Sequence, residues 1–118
     1  MSTSEIATVL AWHDALNAGD IDTLIQLSSD DIEIGDAHGA GQGLEALRSF
    51  ATDFAGSTVT VGRIYVHDGV VVFEQTLDDD PQASAFRVVH DQVTSVFRHD
   101  DLAAALAATD LTEDDLDA

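Results

Sequence analysis

The stretch ALNAGDIDTL at residues 15–24, followed by LSSDDIEIGD at residues 27–36, decides the fold of this chain. It is typical of a helix that ends at a Gly-Asp break, a short second helix and a strand. Upstream, helical spacing predicts an amphipathic helix over residues 4–18, with its buried stripe formed by Ile6, Val9, Leu10, His13 and Leu16. Gly19 terminates this helix, Asp20 caps the second, and Asp36 ends the strand.

The remaining sequence predicts further helices and a series of strands. Residues 39–43 are a glycine-rich loop, and apolar spacing predicts a third helix over residues 44–54. Four strand-like runs follow at residues 58–67, 69–77, 83–90 and 92–99, then a short helix at 102–108. We expect the acidic end, residues 111–118, to be frayed. The 118 residues therefore predict one α+β domain spanning residues 1–118.

This order of elements, together with the segment VTSVFRHDDL at residues 93–102, resembles the nuclear transport factor 2-like superfamily. That superfamily includes the SnoaL-like polyketide cyclases and ketosteroid isomerase. The resemblance implies a cone-shaped, curved antiparallel sheet wrapped around the N-terminal helices, the cystatin-like α+β barrel. It also implies an apolar pocket between the first helix and the sheet, and a homodimer formed through the exposed sheet face.

The composition is strongly acidic, with 18 Asp and 5 Glu against 4 Arg and no Lys, for a formal net charge of −19. Such a field repels nucleic acid and anionic membrane surfaces, so we expect neither as a partner. The Asp-rich, Lys-free bias resembles that of proteins from salt-in halophiles. The absence of cysteine removes disulfides, thiolate metal sites and cysteine nucleophiles. The chain has no apolar run of membrane-spanning length and no signal-peptide pattern at its start, which predicts a cytoplasmic location.

Asp36 is the leading catalytic candidate. Aligning residues 15–36 with ketosteroid isomerase needs no gap, and the resemblance places Asp36 at that enzyme's general base. A carboxylate at a pocket mouth can remove a proton next to a carbonyl. His38, two residues further on, can pair with Asp36 as an acid–base couple. The alternatives are that Asp36 only opens a turn and that His38 is simply exposed in a glycine-rich loop.

Two aromatic residues of the first helix are further candidates. The same alignment puts Trp12 where the isomerase has its tyrosine donor, while the aspartic acid that completes the donor pair has no match near Ala85. Trp12 is then either a contact for a developing oxyanion or an aromatic wall of the core. His13 lies in the apolar stripe, so it is either a buried core histidine or an assisting catalytic group.

Arg63, Tyr65 and Arg87 are candidate ligand-binding residues. Alternation places Arg63 and Tyr65 on one strand face together with Val61, where they can clamp a substrate. Arg87, on a neighbouring strand, can add a second guanidinium for a ligand carboxylate. The alternative is that these scarce arginines pair with the many aspartates.

The sequence predicts no metal site and no cofactor. The five histidines show no His-x-His or His-x-x-x-His pair on one element. The glycines at 39, 41 and 43 lack the downstream crossover of a phosphate loop. The Asp-Arg-Asp set of limonene-epoxide-hydrolase-like relatives has no counterpart on a predicted strand.

Two functions follow from these patterns and from the resemblance. The first is a pocket for a small, largely apolar molecule, with cofactor-free proton-transfer chemistry of the isomerase, cyclase or dehydratase type. The second is a non-catalytic module that binds a ligand or assembles through its sheet. The run Val70–Phe73 is apolar on both faces, which favours a homodimer.

Overall fold

The computed structural model describes residues 2–36, 39–53, 59–77 and 80–116. Its helices are α1 Ser2–Ala18, α2 Ile21–Gln26, α3 Leu44–Asp53 and α4 Leu102–Thr109. Its strands are β1 Ser28–Asp36, β2 Gly39–Gln42, β3 Val59–His67, β4 Val70–Leu77, β5 Asp80–Val89 and β6 Gln92–His99. A 3-10 turn, Glu113–Asp115, follows α4. None of the helices in these ranges has the length and apolar character of a membrane span.

The strands form one sheet in the order β2-β1-β6-β5-β4-β3. Neighbouring strands are antiparallel except β1 and β6, which run parallel. The predicted α+β fold is confirmed, but the curved sheet that the sequence predicts as antiparallel contains one parallel pair, β1 with β6. The difference arises because the chain between β1 and β6 passes through α3 and the β3–β5 meander, long enough to return in the same direction.

The break between α1 and α2 is built as the sequence predicts. Gly19 has a φ of 70°, in the left-handed region that glycine adopts without a Cβ penalty. One carboxylate oxygen of Asp20 accepts from the backbone N–H of Thr23 at 3.2 Å, and the other accepts from the Thr23 hydroxyl at 2.7 Å. This cap stops α1 and starts α2 at an angle that returns the chain to the sheet.

Helices cover both faces of the sheet. The inner face packs against α1, α2 and α3 around a core that includes Trp12, Leu24 and Phe86. The outer face packs against α4, with Ala105 and Leu111 in a second, smaller cluster. The two-sided apolar run at residues 70–73 is therefore covered on both sides within one chain.

Strand β2 and the bulge in β3 differ from the sequence prediction. Residues 39–42 were expected as loop, because small residues favour strands weakly. They instead pair with β1 at the edge of the sheet. In β3, Val61 pairs with Gln75 and Ile64 with Phe73, so β3 carries one extra residue. Val61 consequently joins Ile64 in the inner core, and not the face of Tyr65 that strict alternation predicts.

The described segment after α4 packs against the sheet, in a region where the sequence predicts fraying from Leu111. Leu111 is buried in the outer cluster, and Leu116 forms an antiparallel bridge with Tyr65 of β3. Thr112 caps the 3-10 turn between them. The two leucines hold this otherwise acidic segment against the outer face because they cover the buried Tyr65 ring.

Candidate functional site

A small cavity of about 10 Å³ lies between α1 and the inner face of the sheet. Its aromatic walls are Trp12 from α1, Phe50 from α3 and Phe86 from β5. The volume is close to what one water molecule needs. The cavity occupies the place where the sequence resemblance implies a pocket, but the surrounding rings nearly fill it.

His13 is the most unusual residue of this cavity. It is 4% exposed, stacks on Phe73 at a centroid distance of 5.2 Å and meets Phe86 edge-on at 5.3 Å. Neither ring nitrogen has a hydrogen-bond partner among the described residues. Burial lowers the pKa of His13 to about 4, because the charged imidazolium would lose its hydration. The ring is therefore neutral at pH 7, with one N–H donor and one bare nitrogen acceptor.

Two polar residues of the sheet line the same cavity and were missed in the sequence. Gln75 of β4 is 2% exposed, and its Oε1 has no hydrogen-bond partner in the described part of the chain. Ser84 of β5 is equally buried. The signal for Gln75 was present, since it shares the inward alternation of Val71 and Phe73. A buried amide on the core face of an apolar strand is costly unless a partner reaches it.

Arg98 and Phe50 separate this cavity from a larger groove. The Arg98 guanidinium lies 5.6 Å from the centre of the Phe50 ring, as in a cation–π contact. Both side chains also line a groove of about 270 Å³ beneath the β1–β2 hairpin and α3, whose other walls include Ile34, Gly39 and Ala46. The cavity and the groove are thus neighbouring spaces with a shared two-residue wall.

The donor of Trp12 is already engaged. Its Nε1–H donates to Ser28 Oγ at 2.9 Å, and the Ser28 hydroxyl donates to the Leu24 carbonyl at 2.7 Å. The indole ring lines the cavity, but its N–H points to the α2–β1 junction. Trp12 therefore contributes a wall to the site, while the predicted contact with an oxyanion would require breaking this hydrogen bond.

Asp36 ends β1, and its backbone pairs with Gly39 across the hairpin. Because Gly35 and Gly39 line the groove, Asp36 occupies a backbone position at its border. His38 lies outside the described residues, and so does its predicted pairing with Asp36.

The structure places the other three predicted ligand-binding residues on the outer face. Arg63 donates from Nε and from one terminal nitrogen to the two carboxylate oxygens of Glu74, each at 3.1 Å. The Tyr65 hydroxyl donates to Glu113 at 3.3 Å, and burial is the main cause that raises the pKa of this phenol. Arg87 is exposed beside a broad outer groove of about 720 Å³ next to α4. None of the three lines the inner cavity, so the structure does not bring them together with His13.

Charge in the inner cavity comes from Arg98. Of the described residues that line the cavity, none carries a carboxylate. Within the same ranges, no three His, Asp or Glu side chains are grouped as a metal site requires. The arrangement can therefore hold a small polar group by hydrogen bonds inside an aromatic enclosure.

Comparison with known proteins agrees with this architecture. The LEH-like epoxide hydrolase of M. tuberculosis is 21% identical, with a TM-score of 0.74 over 92% of this chain and 96% of the other. A proposed polyketide cyclase from Xanthomonas campestris pv. campestris is 18% identical, with a TM-score of 0.70 over 90% and 96% of the two chains. An uncharacterised cystatin-fold protein from Novosphingobium aromaticivorans is 20% identical, with a TM-score of 0.70 over 83% and 97%.

At these low identities, the structural similarity establishes a shared fold and nothing more. No curated protein matches the chain by sequence. The model of the SnoaL-like domain, however, matches residues 9–107, from the middle of α1 to the end of α4. The resemblance inferred from the sequence is thereby confirmed, and the chain belongs to the SnoaL-like domain family.

Proposed function

We propose that this domain binds a small, largely apolar molecule between α1 and the sheet and acts on it by proton transfer without a cofactor. The observation that carries the proposal is the buried imidazole of His13, whose two nitrogens have no partner among the described residues. A folded domain loses stability by burying such a group, so its retention in an aromatic cavity supports a binding role.

The size of the site supports a ligand that enters from the groove. Ligand pockets usually have volumes of roughly 300–1,000 Å³. The cavity alone is far smaller, whereas the groove of about 270 Å³ approaches this range. Rotation of Phe50 or Arg98 would join the two spaces. The apolar body of the ligand would then lie in the groove, with one polar group directed towards His13.

Asp36 is the proposed general base, from its position at the border of the groove and from the resemblance to ketosteroid isomerase. His13 is a poor base at neutral pH because its pKa is lowered to about 4, so its proposed role is that of a neutral hydrogen-bonding group. Arg98 supplies positive charge for an oxyanion that develops on the ligand. His38 remains a proposed assistant of Asp36, and the reaction is of the isomerase, cyclase or dehydratase type.

A non-catalytic binding module is the second candidate. Two groups that an enzyme of this type would use are poorly suited to catalysis. The Trp12 N–H already donates to Ser28 and is not free for an oxyanion, and His13 is too weakly basic to remove a proton at neutral pH. These observations favour binding without turnover. The two candidates share the ligand and differ only in the role of Asp36.

Binding is tested through Trp12, which is the only tryptophan of the chain and lines the cavity. A panel of small cyclic ketones, enones and alcohols would be titrated while indole fluorescence is recorded. We expect a saturable change with at least one compound, and roughly tenfold weaker binding in His13→Leu. His90→Asn, which removes an exposed imidazole at a turn position with a φ of 52° that asparagine tolerates, is the control. A panel without any saturable change would contradict the proposal.

Turnover is tested by proton exchange. Wild type would be incubated in D₂O with the bound ketones, and deuterium uptake next to the carbonyl followed by NMR. We expect Asp36→Asn to slow the exchange by roughly 10²–10⁴-fold while binding is kept. Asp14→Asn, at an exposed position of α1, is the control. Bound ketones that exchange no faster than in buffer would assign the domain to the non-catalytic class.

A cytoplasmic homodimer, without nucleic-acid or membrane partners, completes the proposal. The family resemblance supports the dimer. The apolar run at residues 70–73 no longer argues for it, because α4 of the same chain covers the outer face of the sheet. Light scattering in high salt at micromolar concentration decides this point. A monomer mass would overturn the dimer and leave the ligand proposal untouched.

A further inference from the structure

The hydrogen-bonding atoms of the inner cavity that lack a partner among the described residues differ in kind. Neutral His13 offers one N–H donor and one bare nitrogen acceptor, and the buried Oε1 of Gln75 is a second acceptor. None of these three atoms has a partner in the described part of the chain. A group that pairs with both kinds of atom must therefore donate at least one hydrogen bond as well as accept one.

The dimensions of the cavity limit that group to about one non-hydrogen atom. A space of about 10 Å³ accommodates an oxygen with its hydrogen, and a carboxylate with two oxygens exceeds it. A carbonyl oxygen fits but only accepts, so it would leave Gln75 Oε1 and the bare imidazole nitrogen unpaired. An ammonium group fits poorly for a different reason, since it only donates and cannot accept the hydrogen bond of the imidazole N–H.

We infer that the cavity formed by His13 and Gln75 selects the hydroxyl group of an alcohol or phenol whose apolar body occupies the groove beside Arg98 and Phe50. This inference rests on the proposed binding function and specifies which group of the ligand enters the cavity. The carbonyl on which the proposed proton transfer acts then belongs to the part of the ligand that lies in the groove, at whose border Asp36 stands. The hydroxyl accepts from the imidazole N–H and donates to Gln75 Oε1 or to the bare ring nitrogen. In the unliganded domain a single water molecule, which accepts hydrogen bonds and can donate two, fits the same space.

The walls of the groove agree with an apolar body. Ile34, Ala40 and Ala46 line it, together with glycines of the hairpin that add no side chain. Among the described residues that line the cavity and the groove, the charged one is Arg98, in the wall between the two spaces. A neutral, compact ring system with one hydroxyl therefore fits both spaces: its ring fits the apolar groove, and its hydroxyl fits the cavity.

The test uses three compounds with one carbon skeleton: 2-indanol, 2-indanone and indane. Each is titrated into the full chain, and the ring signals of His13 are followed by NMR. We expect 2-indanol to bind at least tenfold more tightly than the other two, because only it supplies both a donor and an acceptor. In Gln75→Leu this preference should fall below about threefold. Gln26→Leu, at an exposed position of α2, should keep it.

The outcomes separate this inference from the proposed function. Equal binding of all three compounds would keep the pocket and overturn the hydroxyl selection, leaving the cavity as a site for structural water only. A preference for 2-indanol that persists in Gln75→Leu, with a native thermal unfolding profile, would overturn the assignment to Gln75. Absence of binding by all three, in a domain that binds other members of the wider panel, would also overturn the hydroxyl selection. Absence of binding by the whole panel would overturn both.

Discussion

The indole N–H of Trp12 lies 2.9 Å from the hydroxyl oxygen of Ser28, which in turn donates to the Leu24 carbonyl at 2.7 Å. This chain of two hydrogen bonds joins α1 to the α2–β1 junction inside the core. Ser28→Ala should lower the free energy of unfolding by about 1–3 kcal/mol, because it leaves the buried indole donor unsatisfied. Urea denaturation measures the change. Ser29→Ala is the neighbouring control and should be neutral or slightly stabilising, since the Ser29 hydroxyl has no partner among the described residues.

The buried His13 predicts a specific acid sensitivity. Its pKa is lowered from 6.5 to about 4, so between these values the unfolded chain binds a proton that the folded domain does not. The free energy of unfolding should therefore fall as the pH falls from 6.5 to 4, by about 3 kcal/mol in total, and this contribution should be constant above pH 6.5.

His13→Leu isolates that contribution from the titration of the many carboxylates. We expect the stability difference between variant and wild type to grow in favour of the variant as the pH falls through this window. Parallel pH profiles for the two proteins would show that folding does not lower the pKa of His13 and would contradict its burial as a neutral imidazole.

Gly39 offers a way to narrow the groove without disturbing the fold. A Cβ added there would meet nothing within 4 Å, and the residue lines the groove at the edge strand β2. Gly39→Leu should weaken ligand binding at least tenfold while the midpoint of thermal unfolding changes by less than about 2 °C. The same substitution at Gly62, on the β3 bulge beside Glu74, is a poor choice because a Cβ would lie 3.2 Å from the Glu74 carboxylate.

The segment after α4 should contribute to stability. Leu111→Ala should cost about 2–3 kcal/mol, near the lower end for a buried leucine, because it opens space beside Tyr65 in the outer cluster. Leu10→Ala, at a leucine of α1 that is 39% exposed, should cost less than about 1 kcal/mol. Equal and small effects of both substitutions in urea denaturation would mean that the segment is frayed, as the composition alone suggests.

Salt should stabilise the domain. With 23 acidic residues against 4 basic ones, like charges repel in the folded state, and salt shortens the screening length from about 10 Å at 0.1 M to about 3 Å at 1 M. The midpoint of thermal unfolding should rise with potassium chloride. A further rise above about 1 M would exceed simple screening and support the halophilic interpretation. A midpoint that is flat or falling from dilute buffer to several molar salt would refute both ideas.

Most elements could be predicted because they rest on local rules. The Gly19 break, the Asp20 cap and the alternation of β4 each depend on a few neighbouring residues. The family resemblance could be recognised from such local features and their order. The parallel pairing of β6 with β1, and strand β2, could not be predicted because they depend on partners distant in the sequence.

The candidate site could be predicted only in part. The helical stripe indicated that His13 faces inward, and the cavity agrees with that position. The bulge at residues 62–63 changed which β3 side chains share a face, and the outer position of Tyr65 followed from it. Gln75 and Arg98 are candidate site residues because they line the same cavity as His13. This proximity arises from the tertiary fold and cannot be read from a local sequence pattern.

The position of β6 between β1 and β5 has a consequence for biosynthesis. Ser28 pairs with Val93 and Ile34 with Val96, so the first strand docks onto the last one made. As the chain emerges from a ribosome, α1, α2 and the β1–β2 hairpin have no sheet to join until residues 92–99 are free. The domain should therefore fold in one late step after most of it has been synthesised, and its N-terminal half should need protection from aggregation until then.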